Sequence, residues 1–229
     1  MIVKKIQNQH GLRAEEVPQL MLTHGVEYQK VACVNWPKEF PYAPKMEVAL
    51  AHTGDSLLLH YRVEENCIRA AAEADGGRVW EDSCCEIFLQ PSSPITHHPT
   101  PYFNIECNCA GTLLIGKGED RHDRQPATAA TLQLANRWSS LMKTAVSGEN
   151  GRYTIPLKDG KFTWHMALVV PATALFDSGI TDFSGQTLRG NIYKCGDCLT
   201  TPHFLSLFPI DTPQPDFHRP EFFGELTFE

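Results

Sequence analysis

No apolar run in the chain approaches the roughly 20 residues of a membrane-spanning helix, so a membrane is not an expected partner. The opening Met1-Ile2-Val3-Lys4-Lys5 is not followed by an apolar core and a small-residue cleavage site. No secretory leader is therefore visible, which places the chain in the cytoplasm if it is complete. Positive charge is also in short supply: 20 Lys and Arg against 27 Asp and Glu, a net charge of −7. Phosphate binding needs a basic surface, so nucleic acid is not an expected partner either. There is no glycine-rich phosphate loop and no Gly-x-Ser-x-Gly elbow. Internal repeats, heptads and low-complexity tracts are missing as well.

What is present suits a β protein. The 229 residues are 42% hydrophobic, enough for one large all-β domain or two small ones. Met46 to His52 and Ser56 to Glu64 flank Thr53-Gly54-Asp55 and read as a hairpin. Leu57, Leu59, Tyr61 and Val63 share one face of its second arm. Further strands are read at 31–34, 141–146, 152–157, 161–170 and 225–228, with one short helix within 127–138 and a helical turn at 171–176. The 161–170 strand is apolar on both faces and is expected in the middle of a sheet. Three prolines between Pro37 and Pro44 exclude a regular element there, and four between Pro91 and Pro101 make a loop. Many short strands with little helix indicate an antiparallel β-sandwich with one or two short helices. We expect a single domain over 1–229, with 1–30 an extension packed on it.

Two stretches carry the polar chemistry. Read as one strand, residues 79–89 put Trp80, Asp82, Cys84, Glu86 and Phe88 on one face, and Cys85, Ile87 and Leu89 on the other. Residues 102–109 repeat the pattern: Phe103, Ile105, Cys107 and Cys109 point one way, Tyr102, Asn104, Glu106 and Asn108 the other. An aromatic beside carboxylates and amides is what a sugar requires. The axial C–H bonds of a pyranose pack on a flat ring, and its hydroxyls take charge-strengthened hydrogen bonds. Arg189, Asn191 and Lys194 are candidates to join from a later segment. On pattern alone, a solvated sheet face with one half-buried tryptophan accounts for the same residues.

Other chemistries fit less well. Asp82 and Glu86, four residues apart on one strand, would be about 13 Å apart, beyond glycosidase separations. Glu106 on a neighbouring strand would be closer, which leaves a glycan-processing enzyme using Glu86 and Glu106 as the alternative. Cys195-Gly196-Asp197-Cys198 is a lone Cys-x-x-Cys. It could take a zinc ion only with His203 and His218, and the Leu199-Thr200-Thr201-Pro202 that follows does not start a redox-type helix. His97-His98 reads as part of a solvated loop. The eight cysteines do not have the spacing of a disulfide scaffold and read as reduced, with several on apolar strand faces.

In order along the chain, Ala51-His-Thr-Gly-Asp55, Trp80-Glu-Asp-Ser-Cys-Cys-Glu86-Ile-Phe88, Tyr102-Phe-Asn-Ile-Glu106-Cys-Asn108-Cys-Ala-Gly111, Arg189-Gly-Asn-Ile-Tyr-Lys194 and His218-Arg-Pro-Glu221-Phe-Phe-Gly224-Glu-Leu-Thr-Phe228 resemble the family 9 carbohydrate-binding modules. The resemblance spans most of residues 30–229. It implies an all-β, immunoglobulin-like antiparallel β-sandwich that binds glycan-chain ends or small sugars without cleaving them. It implies a sugar held between two tryptophans by polar side chains. Trp80 matches the first tryptophan, and Glu86 a sugar-binding carboxylate. The second tryptophan would fall within Ser206-Leu207-Phe208, where Leu207 stands instead, leaving Phe204 or Phe208 to substitute. Calcium is the ion the resemblance brings with it, with no ligand matched residue by residue. Haem-binding sandwiches of similar fold need an axial Met, His or Lys pair; Met46, Met166 and His165 read better as core or edge residues. The expected ligand is a carbohydrate, and oligomeric state is not legible.

Overall fold

Period-two alternation decides how the long strands lie. The structure, a computed structural model, describes residues 1–7, 11–91, 100–142, 146–147 and 153–229. Its strands are β1 (Ile2–Lys5), β2 (Gln29–Lys30), β3 (Cys33–Val34), β4 (Lys45–His52), β5 (Ser56–Ala70), β6 (Cys84–Gln90), β7 (Tyr102–Asn108) and β8 (Leu113–Gly118). They continue with β9 (Gln125–Pro126), β10 (Asn136–Ser139), β11 (Val146–Ser147), β12 (Tyr153–Pro171), β13 (Thr187–Cys195), β14 (Phe204–Ser206) and β15 (Gly224–Phe228). Two short helices are α1 (Val17–Thr23) and α2 (Ala129–Leu134).

The strands run in the order β10-β12-β5-β4-β1-β15-β13-β6-β7-β8-β9, with β14 beside β13 and β3 beside β14. β1 joins the two halves: Lys4 and Lys5 pair with β4, while Ile2 and Val3 pair with β15, both in parallel. The result is the expected all-β immunoglobulin-like sandwich. Leu57, Leu59, Tyr61 and Val63 of β5 and Trp164, Met166 and Leu168 of β12 meet Cys85, Ile87 and Leu89 of β6 and Phe103, Ile105 and Cys107 of β7 in one buried core. The Thr53-Gly54-Asp55 turn joins β4 to β5 as expected, with Gly54 at φ +95°.

On the outer face of the β4–β5–β12 layer, Ala49, Ala51, Leu58 and Ala167 receive Ile6, Ala14, Val17 and Met21. The alanines leave room for α1 to lie close. This segment had little signal in the sequence, because β1 has four residues and α1 seven.

Several strand readings are corrected. Residues 79–89 are not one strand: Val79–Glu81 is a 3₁₀ turn and β6 starts at Cys84. The cause is Asp82, whose carboxylate turns back to accept the backbone N–H groups of Ala71 and Ala72, at 2.9 and 3.0 Å. A short acidic side chain that captures backbone donors competes with the ladder. The two strands read at 152–157 and 161–170 are one, β12, which shifts register between Ile155 and Lys158 and again between Asp159 and Phe162, around Gly160 at φ +147°. Of the strand read at 141–146, Leu141 and Met142 lie in a turn and Val146 pairs with β12. His97 and His98 lie outside the described residues.

Candidate functional site

The outer face of the second layer is where polarity and aromatics collect. The register places Tyr193 of β13 opposite Glu86, Glu86 opposite Glu106, and Glu106 opposite Leu114. One step along, Asn191, Phe88, Asn104 and Gly116 form the parallel row. Gly116 matters here, since a Cβ would come within 2.6 Å of Asn104 Oδ1. Its bare backbone leaves that amide in place.

Over these rows lies a hollow of about 540 Å³, within the size range of small-molecule sites. Of the residues singled out in the sequence, it brings together Trp80, Glu86, Asn104, Glu106 and Phe204. Trp80 is half-buried, with its backbone pinned: its carbonyl accepts the Asp197 N–H at 3.2 Å, and Glu81 O accepts the Cys198 N–H at 3.1 Å. The Cys-x-x-Cys segment thus holds the tryptophan turn. Phe204 enters from β14, opposite Cys195, and meets Trp36 and Phe40 of the proline-rich loop edge-on.

The floor is a chain of fixed side chains. Arg124 donates to Asn104 Oδ1 from Nη2 at 2.6 Å and Nε at 3.0 Å, and its guanidinium lies 4.4 Å from the Tyr102 ring centre. Asn104 Nδ2 donates to Glu106 Oε1 at 2.7 Å, which fixes the amide's orientation. Glu106 Oε2 is buried and has no hydrogen-bond partner. Cys195 Sγ donates to Glu86 Oε1 at 2.8 Å. Burial, reinforced by the facing Glu106, pushes the Glu86 carboxyl well above its ordinary value, and burial pushes Glu106 up to about 7. Asp197, at the rim, is pushed up to about 6 by burial and by Glu81.

The remaining sequence candidates lie elsewhere. Asp82 is buried, with Arg69 at 2.9 Å and Asn108 Nδ2 at 2.9 Å completing its shell. Lys194 sits on the core side of β13, where its ammonium meets Glu65 at 2.9 Å and His203 Nε2 at 2.9 Å, with no exposure. Burial pulls the ammonium down, but Glu65 outweighs it and the net direction is upward. Asn191 clamps the 206–208 turn: its Nδ2 donates to Phe208 O at 3.0 Å and its Oδ1 accepts the Phe208 N–H at 2.9 Å. Arg189 donates to Phe223 O at 2.9 Å. Leu207 and Phe208 pack against the main core, and the Phe208 ring lies over Gly224.

The hollow also holds Arg121, Arg124, Asp216 and Phe217, which the sequence reading passed over, and Cys195 and His218, which it had placed in a candidate zinc set. Phe217 stacks on Tyr193 with centroids 4.2 Å apart and planes 8° apart. His218 Nδ1 lies 2.8 Å from the Tyr102 hydroxyl; burial and Arg124 lower its pKa to about 3. Arg121 and Asp216 also line it. The available signal was the dense Arg121-His122-Asp123-Arg124 run and the aromatic character of Phe217.

The zinc set read from Cys195, Cys198, His203 and His218 is not assembled. Cys198 is exposed, His203 bonds to Lys194 and His218 to Tyr102. Among the described residues, the His, Cys and carboxyl donors that converge are Cys84, Glu86 and Cys195. Two thiols and one carboxyl do not match the all-oxygen shell that calcium takes.

A β-sandwich with an aromatic and carboxyl-lined hollow on one outer face is the class defined by this geometry. The family model for carbohydrate-binding family 9 matches residues 15–228, and the chain belongs to that family. It is similar along its whole length to a crystal structure from Bacteroides uniformis, whose description proposes carbohydrate binding: 41% identity, TM-score 0.90, 98% of that chain covered. It also shares its fold with a family 9 module from Caldicellulosiruptor kristjanssonii, solved with glucose (11% identity, TM-score 0.58) and with cellotriose (11%, 0.60). Those matches cover all of this chain and 95% and 94% of the other. No curated protein matches.

Proposed function

We propose that the hollow binds a carbohydrate, a glycan-chain end or a small sugar, without cleaving it. The observation that carries this reading is the convergence of a half-buried indole, Trp80, with the acceptors Glu86, Asn104 and Glu106 in one cavity. In this reading Trp80 is the stacking platform, and Glu86 and Glu106 accept sugar hydroxyls. Phe204 and Phe217 supply the apolar wall that a second tryptophan would otherwise make. The unpartnered Glu106 Oε2 favours a ligand rich in hydroxyl donors. The glucose and cellotriose complexes of the Caldicellulosiruptor relative make glucose and short glucans the first ligands to try.

Stacking plus hydrogen bonds to the buried carboxyl pair gives an expected affinity in the micromolar to millimolar range. Isothermal titration of the full chain against glucose, cello-oligosaccharides, xylo-oligosaccharides and other small sugars tests the reading, with Trp80→Ala as comparison. Heat from at least one sugar that collapses in the variant supports it. A panel without heat from any sugar sinks it.

One observation favours a second reading, glycoside hydrolysis. Glu86 and Glu106 are direct cross-strand neighbours on one face of the sheet, and their carboxyls face each other there. Two facing carboxyls are what a glycosidase uses as acid and nucleophile or base. Incubation with end-labelled oligosaccharides separates the two: unchanged chains leave binding, and shortened chains lost in Glu86→Gln assign hydrolysis.

A further inference from the structure

Beneath the hollow, three donors converge that the sugar reading does not need as a set. Cys84 of β6 and Cys195 of β13 are opposite in register, and Glu86 lies two residues along β6 on the same face. Cys84 Sγ, a Glu86 carboxylate oxygen and Cys195 Sγ all lie within 4.8 Å of one another, and all three residues are buried. They stand on paired strands, so their backbones are held apart at a fixed spacing. Independently of these three donors, Glu106 on β7 faces Glu86 on β6, and its buried Oε2 has no partner.

We infer that Cys84, Cys195 and Glu86 form a binding site for a thiophilic divalent cation of the zinc class, closed on its fourth side by Glu106 or a water from the hollow. A tetrahedral ion with bonds of about 2.0–2.3 Å spaces its donors by roughly 3.3–3.8 Å, so the present set needs only small side-chain adjustments. Two thiolates and one carboxylate select zinc or cadmium over calcium or magnesium, which take oxygen shells. Glu86 and Cys195 line the hollow and give the ion a route in. Binding is an exchange of the ion for protons. The Cys195 thiol gives up its hydrogen bond to Glu86 Oε1, Cys84 gives up its contact with Cys85 O, and both thiol protons leave to solvent. Glu86, if protonated, releases a third. No oxidant or further reactant is required.

The experiment uses the full chain with Cys33 and Cys198, the two cysteines that are not buried, changed to serine. Cadmium is titrated into the metal-stripped protein and the ultraviolet thiolate-to-cadmium absorption is followed, with zinc, calcium and magnesium as competitors. The expected result is one cadmium per chain, displaced by zinc and not by calcium or magnesium. Cys84→Ser and Cys195→Ser should each weaken binding by more than about 100-fold, since even outer-shell partners of metal sites cost about 10–100-fold. Should either variant fail to fold, the background protein still decides: zinc raises its melting temperature and a chelator reverses the rise. No absorption band, a band undiminished in Cys84→Ser, or equal competition by calcium overturns the site. A sugar titration plays no part in the readout, so this inference and the carbohydrate reading fail separately.

Discussion

Glu86 and Glu106 face each other across β6 and β7 with both carboxyls buried, Glu86 hydrogen-bonded to a thiol and Glu106 to an amide. Two carboxylates cannot both ionise cheaply at that spacing, so the folded protein retains proton there.

The first consequence is a stability profile with two limbs. Glu106 rises from 4.5 to about 7 on folding, and burial beside Glu106 also holds Glu86 well above its ordinary value. The folded chain therefore binds more protons than the unfolded one above pH 4.5, and these groups lower stability as pH rises through about 7. His60 and His218 move the other way, from 6.5 to about 3, by burial. There the unfolded chain binds more protons, and stability falls as pH drops below 6.5. Each proton contributes up to about 1.4 kcal/mol per pH unit. Urea midpoints across pH 4–9 should peak near neutrality or slightly below. Glu106→Gln should remove the decline that this group contributes between about pH 4.5 and 7; an unchanged slope in that window rules out this origin.

Trp80→Ala should weaken binding of any sugar ligand about tenfold or more, the scale of one lost stacking contact. Because the ring is half-buried and outside the main core, unfolding free energy should fall by less than about 2 kcal/mol. Titration calorimetry and urea unfolding on the same samples separate the two effects.

Lys194→Met should be severely destabilising. It strands Glu65 in the interior, where Trp164 Nε1 at 2.7 Å would be its one remaining strong donor. Breaking such a pair costs about 3–5 kcal/mol, whereas replacing both partners is often tolerated. Lys194→Met with Glu65→Gln should recover much of the loss in denaturant midpoint; a double variant as unstable as the single one contradicts this account.

Asn191→Ala should cost about 1–3 kcal/mol, because the Phe208 N–H loses its partner and the Phe208 C=O keeps only the Ser206 hydroxyl. Amide hydrogen exchange should show the loss concentrated at residues 206–208.

Gly190→Ala should cost about 3 kcal/mol or more. The new methyl would sit 2.4 Å from Phe88 O, a backbone atom of the neighbouring strand that cannot move aside. The measurement is the thermal midpoint, and a shift below two degrees would sink the argument.

Alternation in the sequence determined which way most of these strands face. Cys85, Ile87, Leu89, Phe103, Ile105 and Cys107 had to go inward because burial of apolar surface dominates folding, and that turned Glu86, Asn104 and Glu106 to the other side. The Thr53-Gly54-Asp55 hairpin and the closing strand were legible from the same local rules. Tertiary structure alone decided what each polar group is for. Asp82 looked like a partner of Glu86, yet backbone donors of residues 71 and 72, eleven and ten residues away in sequence, claim it. Lys194 and Asn191 are three residues apart on one strand and therefore face opposite sides, so one pairs inside the sandwich while the other ties down a turn. Arg124, Phe217 and His218 reach the hollow only because long-range pairing carries their segments there. Local pattern encodes a residue's face; its partner depends on which distant strands lie beside it.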